Sequence, residues 1–558
     1  MTTRTEVLAR VRNKQQTLET VTPEEAGGAN RPLRIILEFE RARDPAEVAA
    51  EIREALNISI EAAPLSEAHG ETVDSAEDGL ARFTAVTIPG VTAAEVSDAP
   101  FELGYALADA TGALTAEPEL GTDFFVVPRR GEAEGLDNFP PGCWVDDSGD
   151  PTPEAPHWAV QKIKATEAWQ LPPPAGGKAK GEGVRVFQPD TGVADHVELE
   201  AGMVDTARAY DFVEGKSGAV DPMNYSGNPG HGTGTASVVA SRMAGLIAGS
   251  APLATLVPLR AVTSVVVLDH GRVAAAVEYA RKKGAHVITM SLGGPWSSSL
   301  RAAIDKAIAD GVIVLAAAGN CVRIVVWPAR YEEVIAVAGF NIADQPWIGS
   351  CRGDAVDIAA PGEFVPRANR SPSNGGSPTD VRGGQGTSFA VALTAGVAAL
   401  WVAHFGLPAI KAQLRPGETV QDRFIALLKA TSWRPPGPWQ ADEFGAGIVD
   451  AKALLAHGLA PPAGVVESVV AAADSLRSVY TALAEAVPGS LESVTEATKG
   501  PPSSRRYAAE LSHLALAKQK RRNAGGVVEG LASDPPPSET LRRDLQAAGR
   551  LDLLEALS

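Results

Sequence analysis

Cysteine is scarce in this chain: Cys143, Cys321 and Cys351 are the only three among 558 residues. An odd number at such wide spacing builds neither a disulfide framework nor a zinc-binding pattern, so the protein is expected to work reduced, in the cytoplasm. Positive charge is in deficit, with 50 Lys and Arg against 68 Asp and Glu and a net charge of −18. That balance excludes the global field that would hold nucleic acid. The basic cluster from Lys518 to Arg522 is too short to reverse it and reads as a solvated helix face. No run approaches the ~18 consecutive apolar residues of a membrane span. Met1 to Val21 shows no apolar stretch followed by a small-residue cleavage site, so neither a membrane segment nor a secretory signal is expected.

What the chain does hold is apolar material for folded cores, 45% of its residues, and a length greater than one core supports. Three composition regimes divide it. Over residues 1–127, strand-like runs such as LRIILEFE and RFTAVTI alternate with helical patterns such as PAEVAAEIREAL, which predicts a small α+β domain. A proline-rich, acidic linker follows over 128–156. Residues 157–460 carry short apolar runs (GVRVFQP, TLVPLRAV, HVITMSLG, VIVLAAAGN, VIAVAGF) separated by amphipathic stretches that end in glycine. This spacing predicts an α/β fold, a parallel sheet with helices on both faces, whose functional groups gather at the carboxyl ends of the strands. Residues 461–558 are rich in Ala and Leu, are broken at KGPPSS and SDPPPS, and carry few polar groups arranged for chemistry. A helical C-terminal appendage is expected there, packing on the rest or docking a partner.

Asp190 stands just past the first apolar run of the central region, in QPDTG. His231 lies between glycines in GHGTGTASVVA, where the absent side chains leave the imidazole room. This is not a dinucleotide fingerprint, because no hydrophobic strand precedes it and the required acidic residue is missing from GSAPLATLVPL. GGQGTS is not a phosphate loop, because no lysine precedes Thr387. Asn320 closes the buried run VIVLAAAGN, a place where an amide has no reason to stand unless it is used. A serine just before an apolar helix is ordinarily an N-cap, but Ser388, in GGQGTSFAVALTAGVAAL, has partners available. A hydroxyl needs a base within reach, and His231 oriented by Asp190 would supply one. The Asn320 amide and the Ser388 N–H would donate to an oxyanion on the attacked carbonyl. G-x-S-x-G is absent around Ser388, which argues against an α/β-hydrolase.

In this order, PDTG, GHGTGTAS, SLGG, AAAGN, VDIAAPG and GTSFA together resemble the subtilisin-like serine proteases, the subtilases, over about Trp158 to Leu455. The resemblance implies a subtilisin-like sheet and a serine endopeptidase acting through an acyl-enzyme, with Asp190, His231 and Ser388 as the triad and Asn320 as oxyanion donor. It implies that Ser291, Leu292, Gly293 and Gly294 form an extended edge to which substrate adds as a strand, with Ala318 and Gly319 also at the substrate site. No metal or cofactor is required for the chemistry, and structural calcium is left open. Two other functions fit the same cleft: a non-catalytic peptide-binding module, and an acyl-enzyme hydrolase or ligase with a non-protein substrate.

The sequence departs from the family at Phe389, where methionine is usual, and at Ala392, where proline is usual. Both bear on packing and substrate fit. CVRIVVWPARYEEVIAV, after Asn320, is similar to the family's loop before a P-x-x-Y stretch, with the part that borders the specificity pocket shortened. Cys321 is expected there as a small buried hydrophobe, and His196 as a structural residue. The N-terminal domain resembles a subtilase propeptide in position and size, which would make it inhibitory; substrate recruitment is its other reading. Expected partners are protein or peptide substrates, with room for others through either terminal region.

Overall fold

The computed structural model describes residues 2–16, 32–67, 78–120, 155–462 (apart from 201, 226, 243–245, 268, 373–376 and 438), 476–487, 504–523 and 536–557. The linker expected over 128–156 lies outside the described residues up to 154.

The N-terminal domain runs α1 (Arg4–Gln16), β1 (Pro32–Glu38), α2 (Pro45–Leu56), β2 (Glu61–Pro64), β3 (Phe83–Thr92), α3 (Pro100–Thr111) and β4 (Thr115–Pro118). Its antiparallel sheet has the order β2-β3-β1-β4. Alternation along β1 explains its place. Leu33, Ile35 and Leu37 face a core shared with Val48 and Ile52 of α2 and Leu103 and Leu107 of α3. Ile36 points the other way, into the core of the central region. The start of α2 follows from local chemistry: Asp44 caps the Ala46 N–H, Pro45 takes the first helical position, and Asn57 ends the helix in the left-handed conformation.

The central region holds β5 (Arg185–Asp190), β6 (Tyr210–Asp211), β7 (Lys216–Ser217), α4 (His231–Ala240), β8 (Thr255–Arg260), α5 (His270–Lys282), β9 (Val287–Met290), α6 (Ser298–Ala309), β10 (Ile313–Ala317), β11 (Ile335–Phe340), β12 (Ile358–Pro361), β13 (Val365–Ala368), β14 (Val381–Gly384) and α7 (Thr387–Phe405). Eight strands form one sheet in the order β12-β11-β10-β9-β5-β8-β6-β7, parallel except for β7. Both faces are covered, so its strands read as unbroken apolar runs. In β10, Val314 and Ala316 face the core that includes α5 and α6, whereas Ile313, Leu315 and Ala317 face the core of α4 and α7.

The expectation that no apolar run approaches membrane length is corrected at α7, whose 19 residues are long and apolar enough to cross a membrane by composition. All 19 are buried within the protein, and a helix apolar on every side is the mark of a core helix. It continues unbroken through Ala392.

The expected C-terminal helices are α8 (Arg477–Ala486), α9 (Ala508–Asn523), α10 (Glu539–Ala547) and α11 (Leu551–Leu557). Of the two expected roles, packing on the rest is the one the structure displays. Val479, Tyr480 and Leu483 of the amphipathic α8 and Leu511 and Leu514 of α9, whose first half is buried on all sides, share a core with Trp296, Trp327 and Tyr331. Polar ties run both ways from these helices. The Trp296 N–H donates to Ser512 Oγ (2.9 Å) and Arg330 to Glu485 Oε1 (2.7 Å) on the central side. Tyr105 Oη donates to Glu510 Oε2 (2.7 Å) and the Thr540 N–H to Glu102 Oε1 (2.6 Å) on the N-terminal side. The cluster Lys518–Arg522 is only partly solvated: Lys518, Lys520 and Arg521 are half-buried, and burial lowers the Lys520 pKa to about 8.

The sheet of the N-terminal domain lies against α5 and α6. At Gly271, in the first turn of α5, a Cβ would come within 2.6 Å of Ile36 Cδ1, so the bare backbone permits the approach. Glu117, buried in β4, covers the start of α6. It accepts from the Ser298 N–H (2.5 Å), Ser298 Oγ (2.6 Å) and Ser297 Oγ (2.8 Å), a carboxyl placed where a helix offers free N–H groups.

Candidate active site

Asp190 ends β5 with its carboxylate buried. Its Oδ1 accepts from the Thr191 N–H (2.7 Å) and from His231 Nδ1 (2.8 Å), and its Oδ2 from Thr235 Oγ1 (3.3 Å). His231 is the first residue of α4, after Gly230 at φ 82°. A Cβ on Gly232 would lie 2.2 Å from the Gly192 carbonyl and 3.3 Å from Asp190 Oδ1. Glycine is therefore what lets the helix start touch the strand end. With Nδ1–H directed at the carboxylate, Nε2 is the nitrogen left to accept a proton.

Sequence reasoning missed the residues that brace this pair. Asp221, in a loop, accepts from the N–H of Gly230 (2.7 Å) and Met223 (3.0 Å) and from Thr191 Oγ1 (3.0 Å). Burial raises its pKa against the pull of those bonds. Thr191 Oγ1 in turn accepts from the Gly232 N–H (3.0 Å), so one threonine ties the strand end, the loop and the helix together. Thr191 was visible in PDTG; Asp221 stands in no motif.

Ser388 is the second residue of α7, and the N-cap position belongs to Gly386. Its Oγ donates to the Ser291 carbonyl (3.4 Å), while Ser291 Oγ donates back to the Ser388 carbonyl (3.0 Å). Among the described residues no hydrogen bond joins Ser388 to His231. Such bonds are often loose before substrate binds. Asn320 follows β10, and its Oδ1 accepts from the Thr387 N–H (3.0 Å) and Thr387 Oγ1 (2.8 Å). Two donors on Oδ1 fix the amide and turn Nδ2 away from Thr387, free to donate elsewhere. Nδ2 lies 3.4 Å from where a Cβ on Gly386 would stand, beside the nucleophile.

Phe389 fills space that two glycines leave. A Cβ on Gly384 would lie 2.4 Å from its ring and one on Gly234 3.7 Å. The ring sits 6.5 Å from that of His231, under the Arg367 guanidinium. His196 is structural as expected: its Nε2–H donates to the Asp380 carbonyl (2.8 Å), its Nδ1 accepts from the Glu198 N–H (3.1 Å), and burial lowers its pKa.

The segment Ser291–Gly294 is not an open edge in this structure. The Gly293 N–H donates to the Val265 carbonyl (2.9 Å) and the Val267 N–H to the Gly293 carbonyl (2.9 Å), while Gly294 exchanges bonds with Trp327 (2.8 and 3.1 Å). Backbone groups in an apolar setting find partners, and here the chain supplies them. Ala318 and Gly319 are held likewise: the Val326 N–H donates to the Ala318 carbonyl (3.0 Å) and the Cys351 N–H to that of Gly319 (2.9 Å).

Cys321 is buried as expected but is disulfide-bonded, which corrects its reading as a small hydrophobe; Cys351 is a free buried thiol, and Cys143 lies outside the described residues. Among the described residues no group of three or more His, Cys, Asp or Glu is disposed to hold a metal.

Residues 181–422 match the model of the subtilase family. Thermitase of Thermoactinomyces vulgaris is 35% identical over 225 residues, which are 39% of this chain and 74% of that protein. The chain belongs to the subtilase family. Subtilisin DY of Bacillus licheniformis is 34% identical over 235 residues, 40% of this chain and 79% of that protein. The solved structure of a Pseudoalteromonas arctica protease is 28% identical, with 53% of this chain and 94% of that one covered and a TM-score of 0.43. This subtilase is thus a serine endopeptidase with protein or peptide substrates, and its chemistry needs no cofactor.

Proposed function

We propose that this endopeptidase works through an acyl-enzyme on Ser388. The Ser388 Oγ attacks the scissile carbonyl as its proton passes to His231 Nε2. His231 then gives that proton to the leaving amine, and water reverses the sequence to free the acid. Asp190 holds the imidazole and balances the charge it gains, while Asn320 Nδ2 and the Ser388 N–H donate to the oxyanion. The observation that carries this reading is the 2.8 Å bond from His231 Nδ1 to a buried Asp190. Asn320→Ala tests the oxyanion role. It should lower kcat by roughly 10² to 10³, the loss known for the oxyanion-hole asparagine of subtilisin, with KM little changed because the amide acts mainly on the transition state. An unchanged kcat would assign the donor elsewhere. Peptide binding as a strand along Ser291–Gly294 belongs to the same proposal, and it requires Val265–Val267 to part from Gly293.

The N-terminal domain acts as an inhibitor in this proposal. Support comes from its sheet lying on α5 and α6 and from Glu117 over the start of α6. Burial raises the Glu117 pKa to about 7. Glu119 beside it is also raised by burial and by Asp269. The docked state therefore holds protons that the free domain, with ordinary carboxyls, releases. Docking is full below the free value of about 4.5 and weakens as pH rises through about 7, by up to about tenfold per pH unit for one such group. Inhibition of small-peptide cleavage should accordingly relax with rising pH, and Glu117→Gln should flatten that dependence. Identical inhibition–pH profiles for the two would remove Glu117 from the device. Localisation is proposed on similar grounds: a disulfide at Cys321 favours an oxidising compartment over the cytoplasm.

A further inference from the structure

The residues that follow Asn320 adopt a conformation the backbone resists. The Val322 N–H donates to the Asn320 carbonyl (2.8 Å), a three-residue turn. Cys321 sits at its centre with φ 65°, and Arg323 follows at φ 69°. That is the rare, strained form of the γ-turn, and two left-handed non-glycine residues so close together persist only where their surroundings over-determine them. One side of the surroundings is the neighbouring segment, through the Cys321 N–H to the Gly349 carbonyl (2.7 Å) and the Asn320–Ser350 bridge.

The other side comes from some 200 residues further along the chain. Asn523, the last residue of α9, donates from Nδ2 to the Cys321 carbonyl (3.1 Å) and the Val322 carbonyl (2.7 Å). Its orientation is set, because Gln519 Nε2 donates to its Oδ1 (3.0 Å). A single amide thus satisfies both carbonyls of the turn that carries the oxyanion asparagine. The next stretch of the same loop is also backed from the C-terminal region: Trp327 Nε1 donates to Ser478 Oγ (3.2 Å) and Arg330 to the Ser478 carbonyl (3.0 Å).

We infer that Asn523 is a positioning residue for the hydrolysis reaction, holding the 321–323 turn so that Asn320 Nδ2 is aimed at the oxyanion. This rests on the catalytic role proposed for Asn320. Without the amide, two carbonyls lose their donors and the turn relaxes toward ordinary φ values. A donor displaced by a fraction of an ångström loses part of its grip on the transition state while ground-state binding is little changed.

The experiment is a double-mutant cycle on the full chain, with kcat and KM read on a short chromogenic peptide at alkaline pH. Asn523→Ala should lower kcat about tenfold, against an upper bound of about 10² for a remote misplacement, with KM within about twofold. Asn320→Ala with Asn523→Ala should be no slower than Asn320→Ala alone, because a misaimed donor costs nothing once the donor is gone. Asn523→Asp keeps the size but sets a carboxylate against two carbonyls; it should lose more kcat than the alanine variant and serves if alanine impairs folding. An unchanged kcat, a loss confined to KM, or losses that multiply in the double variant would each overturn the inference and leave Asn523 a purely structural contact. If Asn320→Ala itself costs nothing, the oxyanion assignment fails instead, and that outcome is distinct.

Discussion

Ser388→Ala is expected to lower kcat on peptide substrates by about 10⁶, the loss known for the nucleophile of subtilisin, while the protein stays folded. The second half follows from the site. Ser388 is the second residue of α7, where alanine is a better helix former than serine, and the N-cap position belongs to Gly386. The bonds lost are the 3.4 Å contact from Oγ to the Ser291 carbonyl and whatever reaches His231 on substrate binding; the 3.0 Å bond from Ser291 Oγ to the Ser388 carbonyl is a main-chain contact and survives. A fluorophosphonate probe, which reacts with an activated serine, should label the wild type and should fail on the variant. The test also bears on the absence of a hydrogen bond between Ser388 and His231. If labelling persists in Ser388→Ala, another serine is the nucleophile and that absence reports an inert site. If labelling is lost, the absence reflects only an unliganded site, closed at Gly293, in which the hydroxyl has yet to turn.

The parts of this site that could be read from the sequence are those carried by short-range geometry. Asp190, His231, Asn320 and Ser388 each sit at the end of an apolar run or the start of a helix, where a polar residue among glycines has few structural reasons to stand. The parallel sheet was readable for a related reason: strands buried on both faces are written as unbroken apolar runs. What could not be read was long-range pairing. Nothing in HVITMSLGG says that Gly293 bonds Val265 and Val267, because backbone partners leave no mark on residue type. Asp221 braces the start of α4 from a loop with no motif around it. The Ala- and Leu-rich character of α9 was visible, but not that it would meet Trp296 and deliver Asn523 to the turn after Asn320. Three cysteines argued for the reduced state by count, and count says nothing of whether Cys321 has a partner nearby.

Asp190→Asn is expected to lower kcat by more than about tenfold but by less than the factor of about 10⁴ that the same substitution costs in a serine-protease triad of another fold. In that triad the loss is tied to the wrong imidazole tautomer. Here the surroundings constrain the amide differently. The Oδ1 position receives two N–H groups, from Thr191 (2.7 Å) and His231 (2.8 Å). An asparagine must keep its oxygen there, since an NH₂ would face the Thr191 donor. Its nitrogen then takes the Oδ2 position opposite Thr235 Oγ1, a hydroxyl that also bonds the His231 carbonyl (3.1 Å) and can accept. The tautomer with Nε2 free is thereby preserved, so what the variant loses is the negative charge that balances the imidazolium as Ser388 gives up its proton. KM should stay near the wild-type value, and labelling of Ser388 by the fluorophosphonate should slow in step with kcat, because both need the same base. Thr235→Val in the Asp190→Asn background removes the hydroxyl that accepts from the amide. It should deepen the loss if side-chain orientation matters and leave it unchanged if charge alone is at stake. A single variant within about tenfold of wild type would mean that the negative charge of Asp190 contributes little to stabilising the imidazolium, and that holding the ring is its main part.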